Sequence, residues 1–446
     1  MSEASGGGRA WTITILLTAF MLINFLDKIA LGLVAVPMMD ELRLSPRQFG
    51  DLGSGFFWLF AVGGVFGGFL ADRFGVRALI AAMVLVWSLC QLPIATTASL
   101  GTIMLCRALL GLAQGPAWPV AVHALTKWFP NDRRNLPIAI AAQGSAIGLI
   151  VAGLVMPLIT ARWGWRANFV VLAVVGGAWA LAWLVVAGEG NADGADEGAA
   201  SSDPMAPSFA QLLLDRSVLG CAITHFVGYW SLGLTLTWLP AYFERGLGYD
   251  GIVSGRLYAL VIAMMIPLGI SLAWGSERLL QKGVPSRTAR GRYLSTLLVV
   301  AGVLFSALYV SPHAEWLRIG LIALALGCTP IVYSLGPAVL AEVVPAERRG
   351  AVLATNNSVA SLAGIAAPVV GAVLIQGLPG ARGYEVGFAL SGALMVAGGL
   401  LGYWMIDPER SLRRLNRHRG VAFSPHSLTI LPSQVSPSNR LTSGGP

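Results

Sequence analysis

The hydrophobic positions of this chain fall in long uninterrupted blocks separated by short polar connections. Each block of roughly 20 residues or more is long enough to cross the hydrocarbon core of a bilayer as a helix. The pattern therefore predicts an all-α membrane protein with twelve transmembrane helices. The predicted helices cover residues 11–37, 50–71, 78–98, 100–126, 137–160, 167–187, 218–243, 253–274, 292–311, 316–341, 350–375 and 385–406.

A polar segment at 188–217 divides the twelve stretches into six and six. It is rich in Gly, Ala, Ser and acidic residues, a composition that cannot bury a core and that predicts a flexible linker. A Pro-x-acid-Arg-Arg pattern begins at Pro130, after the fourth stretch, and recurs at Pro345, after the tenth. The chain is therefore predicted to form two related six-helix bundles, a plan used by transporters with a binding site between the halves.

The distribution of Lys and Arg predicts the orientation of these bundles. Twenty of the thirty basic residues fall on the side that also holds both termini, and eight fall on the opposite side. Because cytoplasmic connections are enriched in basic residues, both termini are predicted to be cytoplasmic. The predicted segments are a cytoplasmic N-terminus at 1–10, bundles at 11–187 and 218–407, a cytoplasmic linker at 188–217 and a disordered cytoplasmic tail at 408–446.

Composition narrows the class of protein further. Charged residues make up 12% of the chain, whereas soluble proteins have about 25%. The net charge of +8 is explained by the cytoplasmic basic residues and does not require a nucleic-acid partner. The four cysteines all lie within apolar stretches, which gives no disulfide framework and no metal-ligand spacing. We find no nucleophile–base pair and no phosphate loop, so the sequence predicts neither an enzyme nor a bound cofactor.

Three charged residues stand deep inside the apolar stretches, away from their ends. Arg107 lies in the fourth stretch, and Asp27 and Lys28 lie in the first. A guanidinium cannot lose its proton to escape hydrocarbon, so burying it costs about 2.5 kcal/mol or more unless it faces a cavity or a partner. We interpret Lys28 and Arg107 as a clamp for an anionic substrate and Asp27 as a proton carrier. The alternatives are a structural ion pair for Asp27 and a Lys28 side chain that extends to the outer headgroups.

Several motifs resemble those of a known family. The loop after the second stretch, Gly68-x-x-x-Asp72-Arg73-x-Gly75-x-Arg77, resembles a motif of the major facilitator superfamily. Within that superfamily the chain is similar to the anion:cation symporters, which carry sugar acids and other organic anions. The residues that carry this resemblance are Asn24-Phe25-Leu26-Asp27-Lys28, Arg107-x-x-x-Gly111-x-x-Gln114-Gly115-Pro116-x-x-Pro119, Trp128-Phe129-Pro130, Trp238-Leu239-Pro240 and Ser276-Glu277-Arg278.

The resemblance implies further roles and also shows two departures. It implies a substrate-binding Asn at Asn356, for which a hydrogen bond between helices is the alternative. The family commonly has Asp-Arg where this chain has Asp27-Lys28, and Glu where Gln114 stands. Because Gln cannot titrate, Gln114 is predicted only to keep a polar contact at the position of the family's acid. Asp27 would then carry the proton alone, or the transport mode differs.

The remaining candidates are polar or aromatic residues within the apolar stretches. Gln143, Tyr229 and Trp230 are predicted to contact substrate, although packing or interface roles are equally open to them. His225 is a candidate for a second proton site. We predict a cytoplasmic gate in which acidic and basic residues near two helix ends close one side of the transporter: Asp72, Arg73, Arg77, Glu277 and Arg278.

Together these observations predict a secondary transporter. Its substrate would be a small organic anion, such as a sugar acid, hexuronate or aromatic carboxylate, imported with protons by alternating access. Its other partner is the lipid bilayer of a bacterial inner membrane, and the protein is predicted to be a monomer. The alternatives are a proton-independent anion exchanger or uniporter, an efflux transporter for drugs or metabolites, and a nutrient receptor built on a transporter scaffold.

Overall fold

The structure, a computed structural model, describes residues 3–130, 133–188, 207–311 and 314–418. This part of the chain is helical and contains no β-strand. Twelve helical spans are long and apolar enough to cross a membrane, which confirms the predicted number. We number them spans 1 to 12: Gly8–Leu33, Pro46–Phe66, Val76–Thr96, Leu100–Thr126, Asn135–Trp163, Trp165–Val186, Arg216–Gly246, Gly251–Gln281, Arg287–Val310, Glu315–Val343, Glu347–Gly377 and Arg382–Met405.

Eighteen α-helices and two short π-helical segments build these spans and their connections. The π-helical segments are Tyr242–Gly246 and Arg287–Arg292. The α-helices are α1 (Glu3–Leu33), α2 (Ala35–Leu42), α3 (Pro46–Trp58), α4 (Phe60–Phe74), α5 (Val76–Thr96), α6 (Leu100–Gln114), α7 (Ala117–Thr126), α8 (Asn135–Trp163), α9 (Trp165–Val186), α10 (Phe209–Leu213), α11 (Arg216–Ala241), α12 (Gly251–Gln281), α13 (Tyr293–Val310), α14 (Glu315–Cys328), α15 (Ile331–Val343), α16 (Ala346–Gly377), α17 (Arg382–Met405) and α18 (Pro408–His418).

Local sequence explains where several spans begin and where two of them break. Ser45 caps span 2 in a reciprocal capping box with Gln48, and Asp250 caps span 8 by accepting two backbone N–H groups. Span 4 is interrupted before Pro116 and span 10 before Pro330, because proline lacks the N–H that would continue the helix. These two breaks occupy corresponding positions in the two halves.

Spans 1–6 pack as one bundle and spans 7–12 as a second. In the first bundle span 1 packs on span 5, span 3 on span 6 and span 2 on span 4. The second bundle repeats these pairs, with span 7 on span 11, span 9 on span 12 and span 8 on span 10. The bundles meet where span 1 faces span 7, span 2 faces span 11 and span 5 faces span 8.

Close contacts between the bundles lie toward the end of the molecule that is predicted to be extracellular. Gly32 of span 1 lies so close to the Leu236 carbonyl of span 7 that a Cβ would not fit. A Cβ at Gly153 of span 5 would lie 2.6 Å from the Gly255 carbonyl oxygen of span 8. At the same end, Arg245 forms an ion pair with Asp40 across the bundles. The two bundles are therefore closed together on this side.

The tail departs from the prediction of disorder over 408–446, because its first eleven residues form α18. The buried face of this helix is tied to the second bundle. Ser411 Oγ donates to Asp215 Oδ1 at 2.7 Å, and Arg287 Nη1 lies 3.1 Å from Asp407 Oδ2. The predicted linker also contains α10, while residues 189–206 of the linker and 419–446 of the tail lie outside the described residues.

Candidate functional site

Arg107 is buried between spans 4 and 2, with 5% of its surface exposed. Its Nε donates to the backbone carbonyl of Leu52 at 3.4 Å, and its guanidinium lies 5.0 Å from the ring centroid of Phe56. Gly55 of span 2 allows this close approach, because a Cβ there would meet Met104 on span 4. Arg107 is thus held by a carbonyl dipole and an aromatic face, both of which stabilise a cation without neutralising it.

Lys28 is held in the same way from span 1. Its ammonium lies 4.3 Å from the ring centroid of Phe25 and 5.3 Å from that of Phe60. Among the described ion pairs, none joins Asp27 to Lys28 or to Arg107 within 4.0 Å. The two cations therefore keep a positive potential that a mobile anion can satisfy.

Lys28 and Arg107 line one small cavity between the bundles, which the sequence had no means of showing. The first bundle supplies spans 1, 2 and 4, and the second supplies span 7. The lining residues are Lys28, Leu31, Gly53, Phe56, Phe57, Arg107, Leu236 and Thr237. The cavity volume is about 10 Å³, room for about one water molecule, so the two cations converge on a space that is closed in this conformation.

Asp27 points in a different direction from its neighbour Lys28, because adjacent helical residues are about 100° apart. It is 3% exposed, and Gln114 Nε2 of span 4 donates to its Oδ2 at 3.3 Å. Its Oδ1 has no hydrogen-bond partner among the described residues. The carboxyl group therefore has one oxygen held by a neutral amide and one oxygen available to carry a hydrogen.

A second group of polar residues lies in the second bundle, and we name it the polar aromatic cluster. It consists of His225 and Tyr229 on span 7, Tyr333 on span 10, and Asn356 and Asn357 on span 11. His225 Nδ1 lies 2.7 Å from Asn356 Nδ2, and the Tyr229 hydroxyl donates to Asn357 Oδ1 at 3.0 Å. The three aromatic rings contact one another at centroid distances of 5.2 to 5.7 Å.

Tyr333 was missed by the sequence analysis. It lies within an apolar stretch, directly after Ile331-Val332. The only sequence feature that marked it was a side-chain hydroxyl among apolar residues. The structure places its ring edge-on against His225 and Tyr229. Pro330 ends the preceding helix just before it, so a local break in span 10 was the other readable hint.

The other two residues that the sequence predicts to contact substrate belong neither to the cavity lining nor to the polar aromatic cluster. Gln143 is exposed on span 5, and Trp230 is buried on span 7. The described residues include no hydrogen-bond partner for either side chain, so their roles stay predictions.

The predicted gate residues whose side chains are described contact their own bundles. Arg77 donates to the backbone carbonyl of Leu184 on span 6, and Arg73 lies over Phe74. Glu277 accepts from Gln281, and Arg278 lies over Trp274, both one turn away on the same helix. The side chain of Asp72 lies outside the described residues. The cytoplasmic gate therefore stays a prediction, and it would concern a conformation other than this one.

One buried ion pair was not predicted. Arg318 of span 10 and Glu385 of span 12 lie 2.7 Å apart with 7% and 8% of their side chains exposed. Tyr242 donates to the same carboxylate at 3.5 Å. Both residues lie within the first three positions of a predicted stretch, Arg318 in 316–341 and Glu385 in 385–406. Each residue lies about one turn after the start of its helix, and one is basic and the other acidic. This matched position was the sequence feature that could have predicted the ion pair.

A family model described as Major Facilitator Superfamily matches residues 16–329 and 286–437. A hexuronate transporter of Bacillus subtilis (strain 168) is 28% identical over 398 residues, covering 85% of this chain and 89% of that protein. A chloroplastic ascorbate transporter of Arabidopsis thaliana is 26% identical over 295 residues, covering 63% of this chain and 54% of that protein.

The match therefore spans only about half the length of the chloroplastic relative. Among solved structures, a bacterial homologue of the human lysosomal transporter Spinster, in an inward-facing and unoccupied conformation, superposes with a TM-score of 0.76. It is 16% identical and covers 94% of this chain and 99% of that chain. At this identity the likeness concerns the fold alone.

Proposed function

Since the chain belongs to the Major Facilitator Superfamily, we propose that it imports a small organic anion together with protons by alternating access. The relatives and the fold are those of membrane transporters, so the chain is a transporter and not an enzyme. The observation that carries the proposal is the pair of cations, Lys28 and Arg107, that line one cavity between the two bundles. We place the protein in a bacterial inner membrane as a monomer, with both termini in the cytoplasm.

The two cations suit a carboxylate. Arg offers a planar fork that binds both oxygens of a carboxylate, and Lys adds a compact positive charge. Neither cation is neutralised by a described carboxylate within 4.0 Å, so a bound anion would complete the site. A relative that spans most of both chains is named for a hexuronate, which supports a sugar acid as the substrate class.

Proton coupling rests on Asp27 and on the electrical cost of moving an anion. Entry of one negative charge against a negative-inside potential costs about 2.3 kcal/mol per 100 mV. A proton that moves with the anion removes this cost. Asp27 is buried beside the cavity cations, and its Oδ1 has no described partner, so it is the group that we propose to carry that proton.

The first experiment tests the anion clamp. Purified protein is heated with and without a panel of carboxylates, and the unfolding temperature is measured for wild type, Arg107→Ala and Arg256→Ala. Arg256 is the matched control because it is an exposed arginine on span 8. We expect one class of acid to stabilise the wild type and the control variant but not Arg107→Ala. A stabilisation that survives in Arg107→Ala would contradict the clamp.

The second experiment tests coupling at Asp27. Reconstituted wild type and Asp27→Asn are compared for uptake driven by a proton gradient and for exchange of labelled against unlabelled anion. We expect Asp27→Asn to lose accumulation by at least about tenfold while exchange continues, because the amide fills the same space but cannot release a proton.

One alternative is favoured by a specific residue. Gln114 occupies the position at which the resembling family has an acid, and it is hydrogen-bonded to Asp27. A proton-independent exchanger would need no second acid. It would be indicated if wild type accumulates no anion under a proton gradient but exchanges anions at full rate.

A further inference from the structure

Four polar side chains lie in the interior of the first bundle at the level of Asp27, and we name them the amide cluster. It consists of Asn24 and Asp27 on span 1, Gln91 on span 3 and Gln114 on span 4. All four are buried, with at most 3% of any of them exposed. Gln114 Nε2 donates to Asp27 Oδ2 at 3.3 Å, but six of the eight polar side-chain atoms have no hydrogen-bond partner among the described residues.

An aromatic contact places Gln91 opposite Asn24. Phe20 of span 1 stacks on Trp87 of span 3 with the ring centroids 5.0 Å apart. Spans 1 and 3 run in the same direction, because one complete span lies between them in the chain. Asn24 and Gln91 each lie four residues after one of these rings, which is one helical turn further along the same face. The two amide groups therefore face each other one turn beyond the stacked rings.

Asp27 completes the arrangement from span 1. It lies three residues after Asn24, and residues at this spacing are neighbours on one helix face. Gln91 lies within interaction range of the Asp27 carboxyl group from span 3, and Gln114 is hydrogen-bonded to it from span 4. Three helices thus direct polar side chains to the region around Asp27 Oδ1.

The unpartnered atoms include one oxygen from each of the four side chains: Asn24 Oδ1, Asp27 Oδ1, Gln91 Oε1 and Gln114 Oε1. Buried polar atoms in native proteins are nearly always satisfied, so four such oxygens in one place indicate a bound partner. Carboxylate and amide oxygens are the ligands that hard cations prefer. A single carboxylate balances one positive charge, which favours a monovalent cation.

The two remaining unpartnered atoms are amide nitrogens, Asn24 Nδ2 and Gln91 Nε2. Each carbonyl oxygen has two lone pairs. These N–H groups can therefore donate to neighbouring oxygens of the cluster while the same oxygens bind a cation.

We infer that the amide cluster is a binding site for Na⁺, with Asp27 as its charged ligand and Asn24, Gln91 and Gln114 as neutral oxygen ligands. Na⁺ is smaller than K⁺ and is satisfied by fewer oxygens, which suits a set of four side chains. The inference goes beyond the proposed function, in which Asp27 carries a proton. The carboxylate cannot hold a proton and Na⁺ on the same oxygen, so the two ions compete.

This site gives the departure at position 114 a physical meaning. A carboxylic acid must lose its proton before it binds a cation, whereas the amide oxygen of Gln114 is available at any pH. The amide also adds no second negative charge, so the cluster keeps the single charge that a monovalent cation balances.

The charges around the cluster couple Na⁺ to the anion. The other charged or titratable side chains that face Asp27 among the described residues are Lys28, Cys90 and Arg107. The charges of Lys28 and Arg107 oppose a bound Na⁺ and favour a bound anion. Na⁺ and the anion should therefore each tighten the binding of the other.

The test measures the unfolding temperature of full-length purified protein in NaCl, KCl and choline chloride, at equal ionic strength and one fixed pH, without any organic anion. We expect NaCl to raise the unfolding temperature of wild type by at least about 2 °C over the other two salts, because a ligand of the folded state stabilises it. The gain should be larger in Arg107→Ala, which lacks one of the charges that repel Na⁺.

The site variants are Asn24→Leu, Gln91→Leu and Asp27→Asn. Each leucine removes one oxygen ligand at similar volume and should reduce the Na⁺-specific gain by at least about half, and Asp27→Asn should abolish it because the charge is lost. Gln376→Leu is the matched control, since Gln376 is an exposed glutamine near the end of span 11, and it should keep the full gain. The unfolding temperature in choline chloride identifies variants that fail to fold.

A second measurement uses the acid that stabilises wild type in the carboxylate panel. Calorimetric titration should show at least about fivefold tighter binding of this acid in NaCl than in choline chloride, and Gln91→Leu should lose the difference. Equal affinities in the two salts would contradict the coupling between the cluster and the cavity.

Three results without the organic anion would overturn the site itself. They are equal unfolding temperatures in NaCl and choline chloride for both wild type and Arg107→Ala, an equal gain from KCl, and a full Na⁺-specific gain in Asn24→Leu and Gln91→Leu. Failure of the proposed function looks different, because then Arg107→Ala would still bind the acid while the Na⁺-specific gain persists.

Discussion

At the scale of single residues, the cations inside the spans fall into two groups: those paired with a carboxylate and those without such a pair among the described residues. Lys28 and Arg107 rest on aromatic faces, whereas Arg318 is joined to Glu385 at 2.7 Å. A buried cation with a buried carboxylate partner is satisfied by the fold itself. A cation held by dipoles and rings, with no carboxylate within 4.0 Å among the described ion pairs, keeps an attraction for anions, and we propose that this difference separates a binding role from a structural one.

The first prediction concerns Gln114→Glu. Gln114 Nε2 lies 3.3 Å from Asp27 Oδ2, so the variant would place two carboxyl groups at hydrogen-bond distance, where both cannot easily be ionised. We expect the number of protons moved per anion to rise above the wild-type value, because the variant adds a second carboxyl group that can carry a proton. The measurement is the reversal potential of anion transport in proteoliposomes under a fixed pH gradient.

A matched control for this prediction is Gln48→Glu, the same substitution at the exposed capping residue of span 2. It adds an identical charge outside the cavity and should leave the coupling ratio at the wild-type value. An unchanged ratio in Gln114→Glu would mean that the side chain at 114 does not take part in proton transfer.

At the scale of elements, pairs of helices are held by polar contacts that lie far apart in the sequence. Spans 10 and 12 are joined by Arg318 and Glu385. The tail helix α18 is joined to the start of span 7 by Ser411 and Asp215, and to the start of span 9 by Asp407 and Arg287. These contacts fix the ends of the second bundle.

The second prediction is that Glu385→Gln destabilises the second bundle strongly. The variant leaves Arg318 buried and unpaired, which costs about 3–5 kcal/mol in the free energy of unfolding. The double variant Arg318→Met with Glu385→Leu should recover most of this loss, because it removes both charges and keeps the volume. Thermal unfolding in detergent gives the unfolding temperatures of wild type, the single variant and the double variant, and so their order of stability.

The exposed ion pair between Arg166 and Glu41 supplies the comparison. Glu41 is 53% exposed, so Glu41→Gln should cost less than about 1 kcal/mol. Equal losses in Glu41→Gln and Glu385→Gln would show that burial does not set the strength of the inner pair.

At the scale of the whole molecule, the closed contact between the bundles lies toward the predicted extracellular side. Gly32 against Leu236 and Gly153 against Gly255 permit backbone approach that any side chain would prevent. If the two bundles rock about a midplane site, as we propose, these contacts open in the alternate state. The close approach at these glycines therefore contributes to the free-energy difference between the states that are closed and open on the predicted outer side.

The third prediction is that Gly32→Ala favours the state that is open on the predicted outer side. The added methyl group has no room beside the Leu236 carbonyl when the bundles are closed there. Spin labels at two exposed arginines, Arg47 on span 2 and Arg256 on span 8, report the distance between the outer ends. We expect longer distances in Gly32→Ala than in wild type.

Gly177→Ala is the control for this experiment, because a Cβ at Gly177 on span 6 meets nothing within 4 Å. It should leave the distance distribution unchanged. The same distribution in Gly32→Ala and wild type would mean that this contact does not limit closure.

The sequence by itself determined the twelve spans, their division into six and six, and the presence of Asp27, Lys28 and Arg107 among them. These features follow from local quantities. A bilayer requires long apolar helices because backbone groups must be satisfied within the segment, and charged residues inside such helices stand out at once. The helical tail was not evident because α18 is stabilised by contacts with residues some 120 to 200 positions away, such as Arg287 and Asp215.

Only the tertiary structure decided which residues meet. Asp27 and Lys28 are adjacent in sequence yet turn to different partners, and Tyr333 joins a cluster that no motif predicted. The physical reason is that spans apolar on every side have no strong amphipathic face to fix their rotation. Rotation and depth are set by packing against helices from distant parts of the chain, and the cavity exists only where that packing leaves space between the bundles.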